Sequence, residues 1–284
     1  MVNKINGSDA LEYFLKECYP QYSSDDLIKQ DDPNIQKCIE DAIDALGIWL
    51  PVELYKNLPI ISPFVKRDNS CRPLGNHKED MWGTPNEEGY FRDDNSIIKG
   101  YPKSLLIKGT KFPFYNGNKI GNGFVTAHCW MCKNNNYNPW VNSFIPNLVW
   151  LPKKIAVLTD VEGSFAQQYV QFLSYCIYKE NKDIKVNGTL QLIINECWNL
   201  LPKPALKPSN KKGDVNFFEY KLRMQKSRKL TINKVCEALC FCLEGKNLSK
   251  RVVCKKYTEG LPNVTEEHLK DLRLKLENYL NAIQ

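Results

Sequence analysis

Apolar residues recur every three to four positions through much of the first part of the chain, and this spacing predicts helices. The first predicted helix has Ser8 as its N-cap. The second is capped by Asp32, starts at Pro33 and ends at Gly47, with its apolar side chains in one stripe. The pattern predicts an N-terminal helical region over residues 1–68.

The pattern changes in the middle of the chain, where two short apolar runs frame a polar loop. Residues 123–127 and 148–151 favour a pleated surface, so each run predicts a strand. The loop between them is rich in Asn. A helix-compatible segment that carries Lys153 and Lys154 follows the second strand.

Two side chains mark this strand–loop–strand–helix segment: His128 follows the first strand, and Asn147 opens the second. The arrangement resembles the HNH, or ββα-metal, nucleases. In that family the His is the general base that takes a proton from water, and the middle Asn pins the loop. The resemblance implies these roles for His128 and Asn147. It also implies an α+β fold whose ββα-metal-like core, at residues 69–180, is flanked by N- and C-terminal helical regions.

The resemblance further implies a divalent cation, Mg²⁺ or another. Ala127 stands where many members of the family carry an Asp ligand, and Ala156 lies near the helix position that usually supplies the last His or Asn. Hard cations prefer oxygen ligands. Asp160 and Asn142 are the predicted metal ligands, and Asn138 is a further candidate.

Simpler interpretations exist for several of these residues. A lone His at the end of a strand also suits a structural role, in which it donates a hydrogen bond to a backbone carbonyl. Cys129 and Cys132 have the spacing of a zinc site, but structural zinc needs four ligands and no second pair has matching spacing. Packing around Trp130 is the alternative for that segment.

Basic and aromatic residues alternate in two segments, a composition that suits a nucleic-acid surface. The first, residues 89–109, has three lysines beside Tyr101; the second, residues 217–234, contains the densest basic cluster in the chain. The net charge of +7 agrees with a polyanionic partner, although solvated surface positions are the alternative for each residue. The predicted nucleic-acid contacts are Lys153, Lys154, Arg92, Lys221, Arg223, Lys226, Arg228 and Lys229. An alternative for Arg92 is a local pair with Asp93 or Asp94, carboxylates that could otherwise complete the metal site.

A second nuclease pattern lies in the last third of the chain. Asp214, Glu219 and Lys221 spell D-x4-E-x-K, and many restriction endonucleases of a different fold use an Asp followed by an acid and a Lys two residues apart. Here Glu219 and Asp214 would hold the metal, and Lys221 would orient the water.

The C-terminal region, residues 181–284, is predicted to be mostly helical. Residues 201–214 are rich in Pro and Lys and predict a linker or loop. Asn263 and Glu266 resemble a capping box at the start of the final helix. Its apolar stripe either packs on the core or pairs with a second copy of the chain, which would form a homodimer.

Composition sets the cellular context that we expect. The apolar content of 43% and the charged content of 25% are typical of soluble globular proteins. No apolar run approaches the ~20 residues that span a bilayer, and the N-terminal segment lacks an apolar signal core, so we expect a cytoplasmic protein without a membrane partner. Eleven scattered cysteines indicate reduced thiols.

These patterns predict a metal-dependent DNA endonuclease that acts on double-stranded DNA, of restriction or phage-defence type. One alternative is a DNA-binding protein without catalysis that uses the same basic face. Another is an intracellular protein with no nucleic-acid role, in which His128 is structural.

Overall fold

The protein is described by a computed structural model. It covers residues 2–71, 81–109, 112, 114–130, 138–186, 188–206, 215–248 and 251–284. Asp214, Cys132 and most of the predicted 201–214 linker lie outside these residues.

Short strands, which we number β1 to β9, form three separate sheets among the described residues. The strands are Lys4–Ile5, Ile48–Trp49, Val65–Arg67, Phe91–Asp93, Ile107–Lys108, Lys119–Ile120, Phe124–His128, Leu148–Pro152 and Asn216–Phe218. The largest sheet has the order β5-β9-β2-β8-β7, while β1 pairs with β6 and β3 pairs with β4, both in parallel. The predicted strands at 123–127 and 148–151 correspond to β7 and β8.

Helices, numbered α1 to α11, hold most of the remaining ordered backbone. They are Gly7–Cys18, Pro33–Leu46, Val52–Asn57, Ser96–Gly100, Pro139–Asn142, Lys153–Thr159, Phe165–Ser174, Gly188–Asn199, Leu222–Leu243, Lys255–Gly260 and Glu266–Ala282. Helix α7 continues as a π-helical segment, Tyr175–Lys179, and short 3-10 turns include Tyr101–Ser104 and Ile145–Asn147. The mixture of helices and strands confirms an α+β protein.

The sequence places the caps of α2 correctly and those of two other helices incorrectly. Helix α2 runs from Pro33 with Asp32 as its N-cap, as predicted. Helix α1 is capped by Asn6, whose side chain accepts a hydrogen bond from the Ser8 backbone, so the predicted Ser8 cap is wrong by two residues. Helix α11 is capped by Thr265, because its hydroxyl is positioned to accept from a backbone N–H of the first turn.

The large sheet draws strands from all three predicted regions of the chain. Strand β2 comes from residues 1–68, β5, β7 and β8 come from residues 69–180, and β9 comes from residues 181–284. One hydrophobic core also runs through all three regions. The helical segments at each end of the chain therefore pack with the central segment around a common core.

The final helix packs on this core through its predicted apolar stripe. Leu269, Leu272 and Leu276 are buried, and so is Tyr279. The Tyr279 hydroxyl donates to the Ile60 carbonyl at 2.9 Å and accepts from the Ile60 N–H at the same distance. Packing within the chain therefore accounts for the stripe.

The register of the large sheet sets the position of its two edges. Ala127 of β7 pairs with Val149 of β8, which pairs with Trp49 of β2, and this row continues through Phe217 of β9 to Lys108 of β5. Neighbouring strands lie about 4.8 Å apart, so β5 and β7 are separated by roughly 19 Å. His128 lies at one edge of the sheet, and the basic residues around β5 and β9 lie at or near the other.

Candidate functional site

The segment that carries His128 folds in the predicted order. Strands β7 and β8 are antiparallel, with His128 opposite Leu148, and α6 begins directly after β8 and packs on both strands. Because β7 ends at His128 and β8 begins after Asn147, the register brings these two residues to the same end of the pair.

Asn147 is fully buried and links both sides of the loop between the two strands. Its Oδ1 accepts from the Trp130 N–H at 2.8 Å, and its Nδ2 donates to the Val141 carbonyl at 3.1 Å. Its own carbonyl accepts from the Cys129 N–H at 3.0 Å. A side-chain amide can satisfy a donor and an acceptor at once, which explains why Asn suits this position.

The His128 ring is held by one hydrogen bond to the same loop. Its Nε2 lies 3.1 Å from the backbone carbonyl oxygen of Asn142. A carbonyl only accepts, so this contact requires the proton on Nε2 and leaves Nδ1 unprotonated in the neutral ring. The bond therefore fixes both the orientation and the tautomer of the imidazole.

The surroundings keep this imidazole uncharged. The side chain is 2% exposed. Burial, followed by the positive charge of Arg67, lowers the pKa of His128 from 6.5 to about 3, while the contacts with Asn142 oppose that shift. At neutral pH the ring can accept a proton at Nδ1, but burial and Arg67 both make the protonated form unfavourable.

Asn142 and Asn138, two of the predicted oxygen ligands, have different roles in the loop. Asn138 caps α5, where its Oδ1 accepts from the Trp140 N–H at 2.9 Å. Asn142 is 1% exposed, and its Oδ1 accepts no hydrogen bond of good geometry from a described donor, although its side chain lies close enough to the His128 ring to raise the pKa of that ring. A buried oxygen without a donor is costly, so the Asn142 side chain is the better candidate ligand beside His128.

The third predicted ligand, Asp160, lies beyond the end of α6. The Lys153 N–H donates to the Gly123 carbonyl at 2.8 Å, which places the start of α6 at the opposite end of the strand pair from His128. Asp160 is the exposed C-cap residue that follows the seven residues of α6. Across the described residues, no three His, Cys, Asp or Glu side chains gather in a way that could hold a metal ion.

Sequence reasoning missed Arg67, which approaches His128 from the small β3–β4 sheet. Helix α5 packs on β3, and this contact brings Arg67 near the imidazole. Arg67 also lines a cavity of about 260 Å³. The other lining residues are Lys66, Asp68, Asn86, Glu87 and Arg92. No motif marks Arg67, because β3 pairs with residues 26 positions further along the chain and packs on α5, and no local pattern records these contacts.

Arg92 forms an ion pair, but not with the neighbouring carboxylates considered as its alternative partners. Its guanidinium lies 2.9 Å from Asp68. Asp93 instead accepts from the Trp82 indole at 2.7 Å and from the Ile97 N–H at 3.1 Å. The buried Asp93 carboxylate thus has a local structural role at the start of α4.

The predicted basic residues of α6 lie away from His128. Lys153 and Lys154 are both exposed at the far end of the strand pair. Lys154 forms an ion pair of 2.7 Å with Asp25. A nucleic acid that reached Lys154 would have to compete with this carboxylate.

Glu219 and Lys221, the two described residues of the rival nuclease pattern, lie close to the other edge of the sheet. One oxygen of Glu219 accepts from the Leu106 N–H at 2.7 Å and lies 2.6 Å from the Lys221 ammonium. Strands β9 and β7 are separated by β2 and β8, a distance of roughly 14 Å. The two nuclease hypotheses therefore concern two different sites.

The basic cluster that follows β9 divides into inward and outward side chains. Arg228 stacks over the Tyr101 ring at 5.4 Å, where burial lowers the pKa of its guanidinium. Lys229 donates a hydrogen bond to the Ile283 carbonyl. Arg223 and Lys226 are exposed and form no ion pair with any described residue. The latter two are therefore the accessible cations of α9 among the predicted contacts.

Cys129 packs in the core beside Trp130, and both side chains are fully buried. Burial holds the pKa of the Cys129 thiol well above its usual value. Ten cysteines fall within the described ranges, and all ten are free.

No known protein family, curated protein or solved structure matches the chain. Within the described ranges, no helix combines the length and the apolar character that a membrane span requires.

Proposed function

We propose that the protein is a metal-dependent DNA endonuclease in which β7, β8 and α6 form a ββα-metal-like unit and His128 is the general base. The observation that supports this proposal best is the contact between His128 Nε2 and the Asn142 carbonyl. A catalytic base needs a third group that fixes its ring and its tautomer. Asn147, which ties the same loop at both sides, supplies the rigidity that such an arrangement needs.

The proposed chemistry is hydrolysis of a phosphodiester bond. His128 Nδ1 takes a proton from the attacking water, and a hard cation such as Mg²⁺ stabilises the charge on the phosphate and the leaving oxygen. Mg²⁺ usually keeps several waters and needs few protein ligands. Asn142 Oδ1, a buried oxygen beside the His128 ring, would supply one of them, and Asp160 is the charged ligand that the family resemblance proposes.

Arg67 gives the base a means of responding to the substrate. Its positive charge contributes to the low pKa of His128. A DNA phosphate bound beside Arg67 would offset that charge, and an anion near the imidazole favours its protonated form. We therefore expect the pKa of His128 to rise when phosphate binds, which strengthens it as a base at the stage when the reaction needs it.

Cleavage of supercoiled plasmid with and without Mg²⁺ tests this proposal. His128→Ala should lose about 10²–10⁴-fold in rate while DNA binding survives. Asp160→Asn should cleave more slowly and require more Mg²⁺, because a charged ligand becomes neutral. His268→Ala is the matched control, since His268 is a half-buried His far along the chain on α11, whose Nδ1 contacts the Glu87 carbonyl. Wild-type cleavage by His128→Ala would overturn the assignment.

A DNA-binding protein without catalysis is the second candidate, and the burial of His128 favours it. A ring that is 2% exposed and hydrogen-bonded to a carbonyl also suits a residue that only joins β7 to the loop. In that case the wild-type protein binds DNA but leaves plasmid intact with Mg²⁺ or Mn²⁺. A restriction role would in addition predict a DNA methyltransferase gene beside this one.

A further inference from the structure

Two basic segments that are more than 100 residues apart in sequence meet at one edge of the large sheet. The Arg228 guanidinium covers the Tyr101 ring, and the Ser104 hydroxyl lies 4.0 Å from the Met224 sulfur. The 3-10 turn Tyr101–Ser104 therefore packs against the start of α9. This contact brings the lysines of the first segment beside the cationic residues of the second.

Strand pairing extends the same surface. Lys108 of β5 pairs in register with Phe217 of β9, four residues before Lys221. Strand β6 packs beside the 3-10 turn, and its Lys119 pairs in register with Lys4 of β1. Register partners in neighbouring strands are close together, and like charges at such positions repel each other. A bound anion would relieve the repulsion between Lys4 and Lys119.

The charge of this surface is strongly one-sided. Residues 99–108, 114–120 and 215–229 contain a single acidic residue, Glu219, and its carboxylate is paired with Lys221. Exposed cations on the surface form no ion pair with any residue that the structure describes. They are Lys4, Lys103, Lys108, Arg223 and Lys226.

Exposed aromatic rings accompany these cations. Tyr220 is 37% exposed between β9 and α9, and Phe114 is 51% exposed in the turn before β6. The Phe114 carbonyl accepts from the Asn118 side chain at 2.7 Å, which places that turn directly beside Lys119. Cations with interspersed polar and aromatic side chains suit a nucleic-acid backbone, because its phosphates pair with the cations and a Tyr hydroxyl can donate to a phosphate oxygen.

We propose that this surface, formed by Lys4, Lys103, Lys108, Lys119, Arg223 and Lys226, binds the sugar–phosphate backbone of DNA. The inference deepens the proposed function, since it names the face through which the nuclease would hold its substrate, but its test does not depend on cleavage. The surface lies at the sheet edge about 19 Å from the β7 strand that carries His128. A DNA duplex is about as wide as this separation, so it could contact this edge of the sheet while one DNA strand approaches the edge that carries His128.

The test measures DNA binding in EDTA, so that cleavage plays no part. A fluorescent 30-base-pair duplex is titrated with the wild-type protein and with the double variants Lys103→Glu/Lys108→Glu and Arg223→Glu/Lys226→Glu, at several salt concentrations. Each double variant should weaken binding at least about tenfold. Each should also reduce the slope of log K against log salt by about 1.8, because two phosphate contacts are lost.

Two controls separate this surface from general effects of charge and folding. Lys182→Glu/Lys185→Glu changes the net charge by the same amount as each surface variant. These two lysines are exposed in the segment before α8, outside the proposed surface, so this variant should bind like the wild type. Lys103→Gln/Lys108→Gln removes charge without reversing it and should give a smaller loss in the same direction. Circular dichroism confirms folding of each variant before titration.

Several results would overturn the inference. Wild-type affinity in both surface variants would do so, and so would an equal loss in the Lys182 and Lys185 control. Preferential binding to phosphatidylserine vesicles over duplex DNA would assign the surface to membranes instead.

If the surface variants lose binding while the wild type never cleaves plasmid with any metal, the inference stands and the nuclease proposal fails. If they bind normally while His128→Ala loses cleavage, the nuclease proposal stands and the inference fails.

Discussion

The Nε2 atom of His128 lies 3.1 Å from the carbonyl oxygen of Asn142, and this contact joins the end of β7 to the end of the short helix α5. It orients the ring, assigns the proton to Nε2 and keeps the imidazole in the interior. The same geometry suits a general base and a structural His. The two roles differ in what they predict for cleavage, but both predict a neutral buried ring.

The first prediction concerns stability at acidic pH. The pKa of His128 is about 3 in the folded protein and near 6.5 in the unfolded chain, so the unfolded chain binds more protons between these values. The stability that this group contributes is present above pH 6.5 and is lost as the pH falls towards 3. We expect a slope of up to about 1.4 kcal/mol per pH unit, or a loss of about 2 kcal/mol by pH 5.

Urea unfolding of the wild type and of His128→Gln, followed by circular dichroism, checks this expectation. Gln can donate to the Asn142 carbonyl but does not titrate, so its stability should change less between pH 7 and pH 5. Carboxylates with low pKa values, such as Asp26 at about 2, lose their contribution at lower pH and are common to both proteins. Parallel pH profiles for the two proteins would show that His128 is not a buried neutral group.

The second prediction concerns the charge that faces this ring. Arg67 is the second cause of the low pKa of His128, after burial. Arg67→Gln should therefore raise that pKa above 3, while burial keeps it below 6.5. NMR of the imidazole nitrogens across an acid titration should show that the ring protonates at a higher pH in Arg67→Gln than in the wild type.

Lys66→Gln provides the matched control for Arg67→Gln. It removes the positive charge next to Arg67 on β3. The Lys66 ammonium is paired with Glu88 and is not among the causes that lower the pKa of His128. The control should leave the imidazole titration unchanged. A similar change in both variants would indicate a rearrangement of β3 instead of a direct effect of Arg67.

The sequence was most informative where local chemistry decides the structure. Periodicity and the Asp32–Pro33 pair are sufficient to define α2, and strand propensity locates β7 and β8 within one residue. The sequence was least informative where segments that are far apart in the chain come into contact. The approach of Arg67 to His128 and the stacking of Arg228 on Tyr101 depend on packing between segments far apart in the chain, and no local pattern records such contacts. The inward direction of Arg228 and Lys229 was missed for the same reason.

The third prediction concerns Asn147 and the loop that it holds. Asn147→Ala removes two buried hydrogen bonds and leaves the Trp130 N–H without its partner, whereas the Val141 carbonyl still accepts from the Phe144 N–H at 3.3 Å. An unsatisfied buried group costs about 1–3 kcal/mol and a lost hydrogen bond about 1 kcal/mol, so we expect the free energy of unfolding to fall by about 2–4 kcal/mol. Urea denaturation measures the change. Asn199→Ala, at an exposed position near the end of α8, should change stability by no more than about 0.5 kcal/mol.

The final prediction separates the two nuclease hypotheses through Glu219 and Lys221. The Glu219 carboxylate accepts from the Leu106 backbone and pairs with Lys221, so in our proposal it stabilises the β5–β9 edge and has no part in catalysis. Glu219→Gln keeps an oxygen for the Leu106 N–H and should fold and cleave plasmid normally in Mg²⁺. Lys221→Ala should weaken DNA binding less than Lys226→Ala does, because Lys221 already has a carboxylate partner. Cleavage by Lys221→Ala should persist at saturating enzyme.

In the rival hypothesis Glu219 holds the metal and Lys221 orients the water, so both variants would lose cleavage while binding survives. If that result appears while His128→Ala and Asp160→Asn cleave normally, the active site lies at the β9 end of the sheet and His128 is a structural residue.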